Sequence, residues 1–256
     1  MIDRPATAAL RTAAKVPPTP NARPSGTPHT TATSSTPRRP THSQTDHGGR
    51  VRIEKVINTF WDGPTMPDYV RRSIESWERH YPDWEIRIWN ERTIPKLRNQ
   101  DLYDNWQTVS PKSSEWQFKT NLLRLELIHD RGQCWFDADL MALRNAEELL
   151  ADHDAFVVQE SERYLNNGLT GATAGHPYFE DMLNTVRHRI LRNPHKRSNR
   201  TCGPHLYTET HKRNPDVHVI PREQGHPARW DQLEATPEDF PDAYFFHWWG
   251  NKRRQM

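Results

Sequence analysis

The chain has 256 residues, with 35 lysines and arginines against 33 aspartates and glutamates and a formal net charge of +2. That length holds one sizeable domain and hardly two, and the near balance of charge gives no footprint for nucleic acid on the body of the protein. The balance is uneven along the chain, because residues 1–50 contain no Phe, Trp or Tyr and two acids, Asp3 and Asp46, against seven Lys or Arg.

A basic segment without aromatic residues, rich in Pro, Thr, Ser and Ala, cannot bury enough apolar surface to offset its ordering entropy, so residues 1–50 are expected to be a disordered tail. Such an acid-poor N-terminus also suits a transit peptide, but it has no apolar h-region, and no window of the chain is long and apolar enough to span a bilayer. Cys134 and Cys202 lie far apart with no CxxC spacing, which fits a reducing, cytoplasmic setting and argues against a Cys-ligated zinc site. The folded body is expected over residues 51–256.

That body opens with VRIEKVINTFWDG, whose Val51, Ile53, Val56 and Ile57 read as a first strand entering a loop that carries Asn58 and Trp61. In PDYVRRSIESWERHYP, Tyr69, Val70, Ile74 and Trp77 recur at helical spacing between Pro67 and Pro82. WEIRIWN alternates as a second strand. Strand, helix, strand makes a βαβ unit, and a mostly parallel α/β sheet flanked by helices follows from it. After a polar connection, SSEWQFKTNLLRLELIHDRG is the strongest helix, with Ser113 or Ser114 as N-cap and Gly132 as C-cap. It delivers the chain into CWFDADL. DAFVVQE reads as a strand, NNGLTGATAG as a small-residue turn and short strand, PYFEDMLNTVRHRIL as an amphipathic helix and VHVIP as a short strand, and AYFFHWWG closes the fold. There is no internal repeat.

CWFDADL carries the chemistry. In an extended segment residues i and i+2 share a side, so Asp137 and Asp139 would project together beyond the carboxyl end of a strand, where open α/β sheets bind ligands. Two adjacent carboxylates repel unless a cation or strong donors lie between them, and oxygen ligands suit Mg2+ or Mn2+. The plainer reading makes one Asp a cap and leaves the other solvated.

The run FKTNLLRLELIHDRGQCWFDADLMAL resembles the DXD-containing sugar transferases of glycosyltransferase family 32, with their K-S-D-x-x-R, L, and G-G-x-Y-x-D-x-D-x-x-x-L. Lys119, Arg124, Leu127, Gly132, Asp137, Asp139 and Leu143 occupy the matching positions. INTFW with DGPTMP, SIESWERHYPDWEIRIWNE, NNGLTGATAGHPYF, TCGPHLYTE and FFHWWG are similar, in order, to further blocks of that family, so the resemblance spans nearly the whole body. It implies a GT-A fold, Rossmann-like, that uses Mn2+ or Mg2+ to transfer a sugar with retention. The donor would be a nucleotide-diphosphate sugar, UDP- or GDP-linked, and the acceptor a glycan, lipid or protein.

The resemblance further implies that Asp137, Asp139 and His247 hold the metal and that Asp137, Asp139 and Arg124 form the catalytic set. It assigns Asn58, Trp61, Lys119, Asn121, Arg124, Asp137, Asn167, Gly171, His247 and Trp249 to the donor. The chain departs from the family where Thr120 and Asn121 replace Ser-Asp, where Gly132-Gln133-Cys134-Trp135 replaces Gly-Gly-x-Tyr, and where Asn58-Thr59 replaces His-Gln. Asn121 keeps hydrogen-bonding capacity but not the charge. It supports a second reading, a catalytically silent nucleotide-sugar or glycan-binding relative on the same fold.

Overall fold

The computed structural model describes residues 52–250. The tail expected over 1–50 lies outside the described residues.

In chain order β1 (Val56–Phe60), α1 (Asp68–His80) and β2 (Glu85–Trp89) form the opening βαβ unit, its strands parallel. The connection read as a polar loop holds two short helices, α2 (Gln100–Asp104) and α3 (Trp106–Val109). Next come α4 (Glu115–Arg131), β3 (Cys134–Phe136), β4 (Leu140–Ala142), α5 (Glu147–Ala151), β5 (Ala155–Gln159) and β6 (Leu165–Ala172). The chain ends with α6 (Pro177–Arg192), α7 (Ser198–Thr201), α8 (Pro204–His211), β7 (His218–Ile220), α9 (Arg222–Gly225) and β8 (Phe245–His247).

Six strands form the main sheet in the order β2-β1-β3-β6-β5-β7. β6 is antiparallel to β3 and β5, and the remaining pairings are parallel, so the sheet is mostly parallel as expected. Side chains alternate across it. Trp135 and Val157 face one core with α4 and α6, while Cys134, Phe136, Phe156 and Val158 face a second core with α1. Burying each large side chain of these layers contributes about 1.5–3 kcal/mol.

α4 begins where its capping chemistry predicts. Ser114 accepts a hydrogen bond from the Gln117 N–H, and Gly132 ends the helix at φ 70°, in the left-handed region. A Cβ at Gly132 would also sit 2.1 Å from the Ala174 nitrogen, so glycine is required twice over.

Two expectations need correction. β1 starts at Val56 and runs through Asn58, which is a fully buried strand residue and not part of a loop. NNGLTGATAG belongs mostly to an eight-residue strand buried along its whole length in the interior of the sheet. Its glycines, which read as turn signals, serve close approach: a Cβ on Gly171 would lie 2.7 Å from the Phe156 ring and 3.0 Å from the Cys134 sulfur.

Candidate functional site

Asp137 and Asp139 fall just past β3, in a turn closed by the Leu140 N–H donating to the Asp137 carbonyl at 2.8 Å. The turn, not strand alternation, brings the two carboxylates together. β4 then pairs antiparallel with β8 and sets Leu140 opposite His247, which carries the imidazole to the aspartates across 108 positions of sequence. One ligand atom each from Asp137, Asp139 and His247 lie within 4.8 Å of one another.

Each carboxylate is held by donors. Asp137 Oδ1 accepts from Arg124 Nη2 at 2.5 Å and from Trp135 Nε1 at 2.9 Å. Asp139 Oδ1 lies 3.0 Å from His247 Nε2, and Asp139 Oδ2 accepts from the Gly250 N–H at 2.7 Å. That last bond depends on Trp249, a non-glycine residue at φ 52°, a strained conformation of the kind found at functional sites. Burial pushes the Asp139 carboxyl up, but the His247 charge and hydrogen bond and the Gly250 amide outweigh it and hold the group at about 2. Burial opposes charge on His247 as well, and the Asp139 carboxylate overcomes this and raises the imidazole above its ordinary value.

A cavity of about 640 Å³ opens over these residues, a size suited to a small-molecule ligand. Asp137, Asp139, His247 and Trp249 line it, as do Trp61, Asn121, Arg124 and Asn167. Arg124 is 3% exposed and also donates to the Asn167 carbonyl, whose side-chain amide donates to Asn121 Oδ1 at 2.9 Å. α4, β6 and the aspartate turn are thus tied by one chain of polar contacts, and Arg124 acts through Asp137. Asn121 supplies the acceptor that this chain needs without a negative charge.

Three expected site residues lie apart from the cavity lining. Asn58 donates to Gln133 Oε1 and the Cys134 carbonyl and accepts from Trp89 Nε1, all inside the sheet. Buried in a central strand, this amide is paired by its neighbours in the sheet. Lys119 is held by Glu91 at 3.1 Å and Glu115 at 2.7 Å, because its position on α4 turns it toward the loop after β2. Gly171 packs beneath Phe156, while Gly168, three residues earlier in β6, is the glycine at the site: a Cβ there would lie 2.7 Å from Asp137 Oδ2.

The sequence reading missed other residues of the site. Glu160, just past β5, lines the cavity and accepts from Asn166 Nδ2 at 3.0 Å; burial raises its pKa above the usual carboxylate value. His226 is buried against His247 and Trp249, with ring centroids 4.6 and 5.5 Å away, and neither of its nitrogens has a hydrogen-bond partner among the described residues. Burial drives it well below the ordinary imidazole value. Its only signal in the sequence was a histidine in a short loop. Tyr164, Arg197, His205 and Trp230 complete the mouth of the cavity.

Two carboxylates and an imidazole fit a divalent cation, and the mixed oxygen and nitrogen set suits Mn2+ better than Mg2+. Asp137 Oδ2 is not engaged by Arg124 or Trp135 and is open to a cation, whereas His247 Nδ1 has no partner among the described residues and so lacks the second hydrogen bond that usually orients a metal-bound imidazole. Among the described residues no helix is long and apolar enough to cross a membrane.

Residues 67–156 match the family described as glycosyltransferase sugar-binding region containing DXD motif. Inositol phosphoceramide mannosyltransferase 2 of Schizosaccharomyces pombe is 21% identical over 147 residues, 56% of this chain and 41% of that protein. The chain therefore spans about two-fifths of the curated relative it matches. Among solved structures, the PaToxG glycosyltransferase shares the fold with a TM-score of 0.50 at 14% identity, over 64% of this chain and 70% of the other. A glycosyltransferase involved in glycosylating the major capsid of PBCV-1 gives a TM-score of 0.45 at 14% identity, over 78% of this chain and 97% of the other.

Proposed function

We propose that the chain, whose residues 67–156 match the DXD-containing glycosyltransferase family, transfers a sugar from a nucleotide-diphosphate donor, a UDP- or GDP-sugar, to a hydroxyl of a glycan, lipid or protein. The observation that carries this reading is the convergence of Asp137, Asp139 and His247 in a cavity at the end of a parallel strand of the sheet. The bond from the anomeric carbon to the diphosphate oxygen breaks, a bond to the acceptor oxygen forms, and the acceptor hydroxyl's proton passes to the departing diphosphate and so to solvent. Retention of configuration is part of the proposal by analogy with the family.

Asp137, Asp139 and His247 would hold Mn2+ or Mg2+. When bound, that cation neutralises charge developing on the departing nucleoside diphosphate. Arg124, itself buried, fixes the Asp137 carboxylate and adds positive potential beside it. Trp61 and Trp249 offer ring faces to the donor from the cavity wall. Asn121 and Asn167 present a braced pair of amides that suits sugar hydroxyls.

The test is donor turnover by the full chain with UDP- and GDP-sugars, read as nucleoside diphosphate released with Mn2+ and with EDTA. Release from one nucleotide class that stops in EDTA supports the transferase. Donor binding with no release under any acceptor tried supports the silent relative that Asn121 suggested.

A further inference from the structure

Between Asp181 and Glu209 the chain has no acidic residue, yet it carries Arg187, Arg189, Arg192, Lys196, Arg197 and Arg200. Arg187 pairs with Asp101 and Arg189 with Glu209. Lys196, Arg197 and Arg200 have no ion-pair partner among the described residues, and all three are exposed. They surround a second, open cavity of about 440 Å³, completed by His195 and Asn199. Arg197 and Asn199 line the main cavity as well, so the two spaces adjoin.

The electrostatics of the two spaces are opposite. Asp137, Asp139 and Glu160 line the main cavity, whereas no acid lines the second. The basic field reaches the shared wall: after burial, Arg200 is the largest influence lowering the His205 pKa, and Arg189 and Lys196 add to it against the opposing charge of Glu209. His205 packs tilted against Tyr164, with ring centroids 4.4 Å apart, and Tyr164, which lines the main cavity, is 38% exposed, an aromatic surface within reach of a sugar or polyol.

We propose that the second cavity is an acceptor subsite for a phosphate ester, so that the acceptor is a phosphorylated sugar or polyol whose hydroxyl lies in the main cavity and whose phosphate lies among Lys196, Arg197 and Arg200. The inference rests on the main cavity being the transfer site. The donor's own diphosphate does not account for this basic surface, since it must lie against the aspartates, where a cation offsets their charge. Guanidinium and ammonium groups with no competing carboxylate are the usual means of holding a phosphate.

The experiment is a fluorescence titration of the full chain in EDTA with glucose 6-phosphate, with glucose, and with phosphatidylcholine vesicles made with and without phosphatidylglycerol. The variants are Lys196→Ala with Arg200→Ala, and the charge-keeping Lys196→Arg with Arg200→Lys; the exposure of both positions makes either pair compatible with folding, which circular dichroism checks. The site requires glucose 6-phosphate to bind at least about tenfold more tightly than glucose. This preference must vanish in the alanine pair and survive in the charge-keeping pair. Vesicles captured through Lys196 and Arg200 identify a lipid headgroup as the source of the phosphate, and binding of the soluble ester alone identifies a free one.

Equal binding of glucose and glucose 6-phosphate overturns the proposal. So does a preference that the alanine pair leaves intact, because the anion is then held by the basic N-terminal segment or by Arg124. No donor is present in this experiment. A preference that holds while donor turnover fails removes the transferase reading alone, and the reverse removes the subsite alone.

Discussion

The Asp139–His247 contact makes a pH prediction whose sign differs on its two sides. Asp139, held at about 2, stabilises the fold fully above its unfolded value near 4, and this contribution is lost as pH falls through about 2. His247 is raised, so its contribution is full below about 6.5 and is lost as pH climbs through its folded value. In metal-free protein the pair should therefore stabilise most between about pH 4 and 6.5. The urea midpoint of wild type minus that of His247→Gln should peak in that window and shrink on either side; a flat difference would mean that the pair is not ionised. Asp139→Ala should cost about 2–4 kcal/mol in chemical unfolding, because it strands a buried imidazolium beside the Gly250 amide. The same change should abolish metal-dependent turnover. Undiminished turnover would remove Asp139 from the site.

Within β6 two glycines should answer differently to one methyl group. Gly168→Ala places its Cβ against the Asp137 and Asn166 side chains, and Asp137 can give way only against the hold of Arg124 and Trp135 on its Oδ1. The fold should lose about 1–3 kcal/mol while Mn2+ affinity, read by calorimetry, falls about tenfold or more. Gly171→Ala meets the Phe156 ring and the Cys134 sulfur inside a packed core. It should cost about 1–3 kcal/mol in unfolding with little change in Mn2+ affinity. Equal effects of the two variants on Mn2+ affinity would contradict the placement of Asp137 over Gly168. This strand also shows what was legible in the sequence. α4 could be read because Ser114 and Gly132 cap it locally, and the aspartate pair because its residues are neighbours. β6 was read as a small-residue turn and short strand because composition does not distinguish a glycine needed for φ from one needed for space. The removal of Asn58 and Lys119 from the lining, the arrival of Glu160 in it and the packing of His226 against His247 and Trp249 follow from strand order and helix facing, which no local pattern encodes.

At the scale of the molecule the sheet supplies a platform, α4 and the short β4–β8 ladder bring the charged groups to the carboxyl end of β3, and one cavity collects them. The cavity is acidic where the aspartates lie, so a nucleotide diphosphate should be repelled from it unless a divalent cation is bound. Nucleotide affinity should consequently depend on metal far more than on ionic strength; a steep salt dependence with no metal dependence would point to the exposed basic residues instead. The most direct test of the central claim is a thermal-shift panel of UDP- and GDP-sugars on wild type and Asp139→Asn, each with Mn2+ and with EDTA, since a ligand bound only by the native state raises the melting temperature. The account requires a rise for one nucleotide class in wild type with Mn2+, absent in EDTA and in the variant. A folded wild type that no nucleotide sugar stabilises, or one stabilised equally in EDTA and in Asp139→Asn, would contradict it.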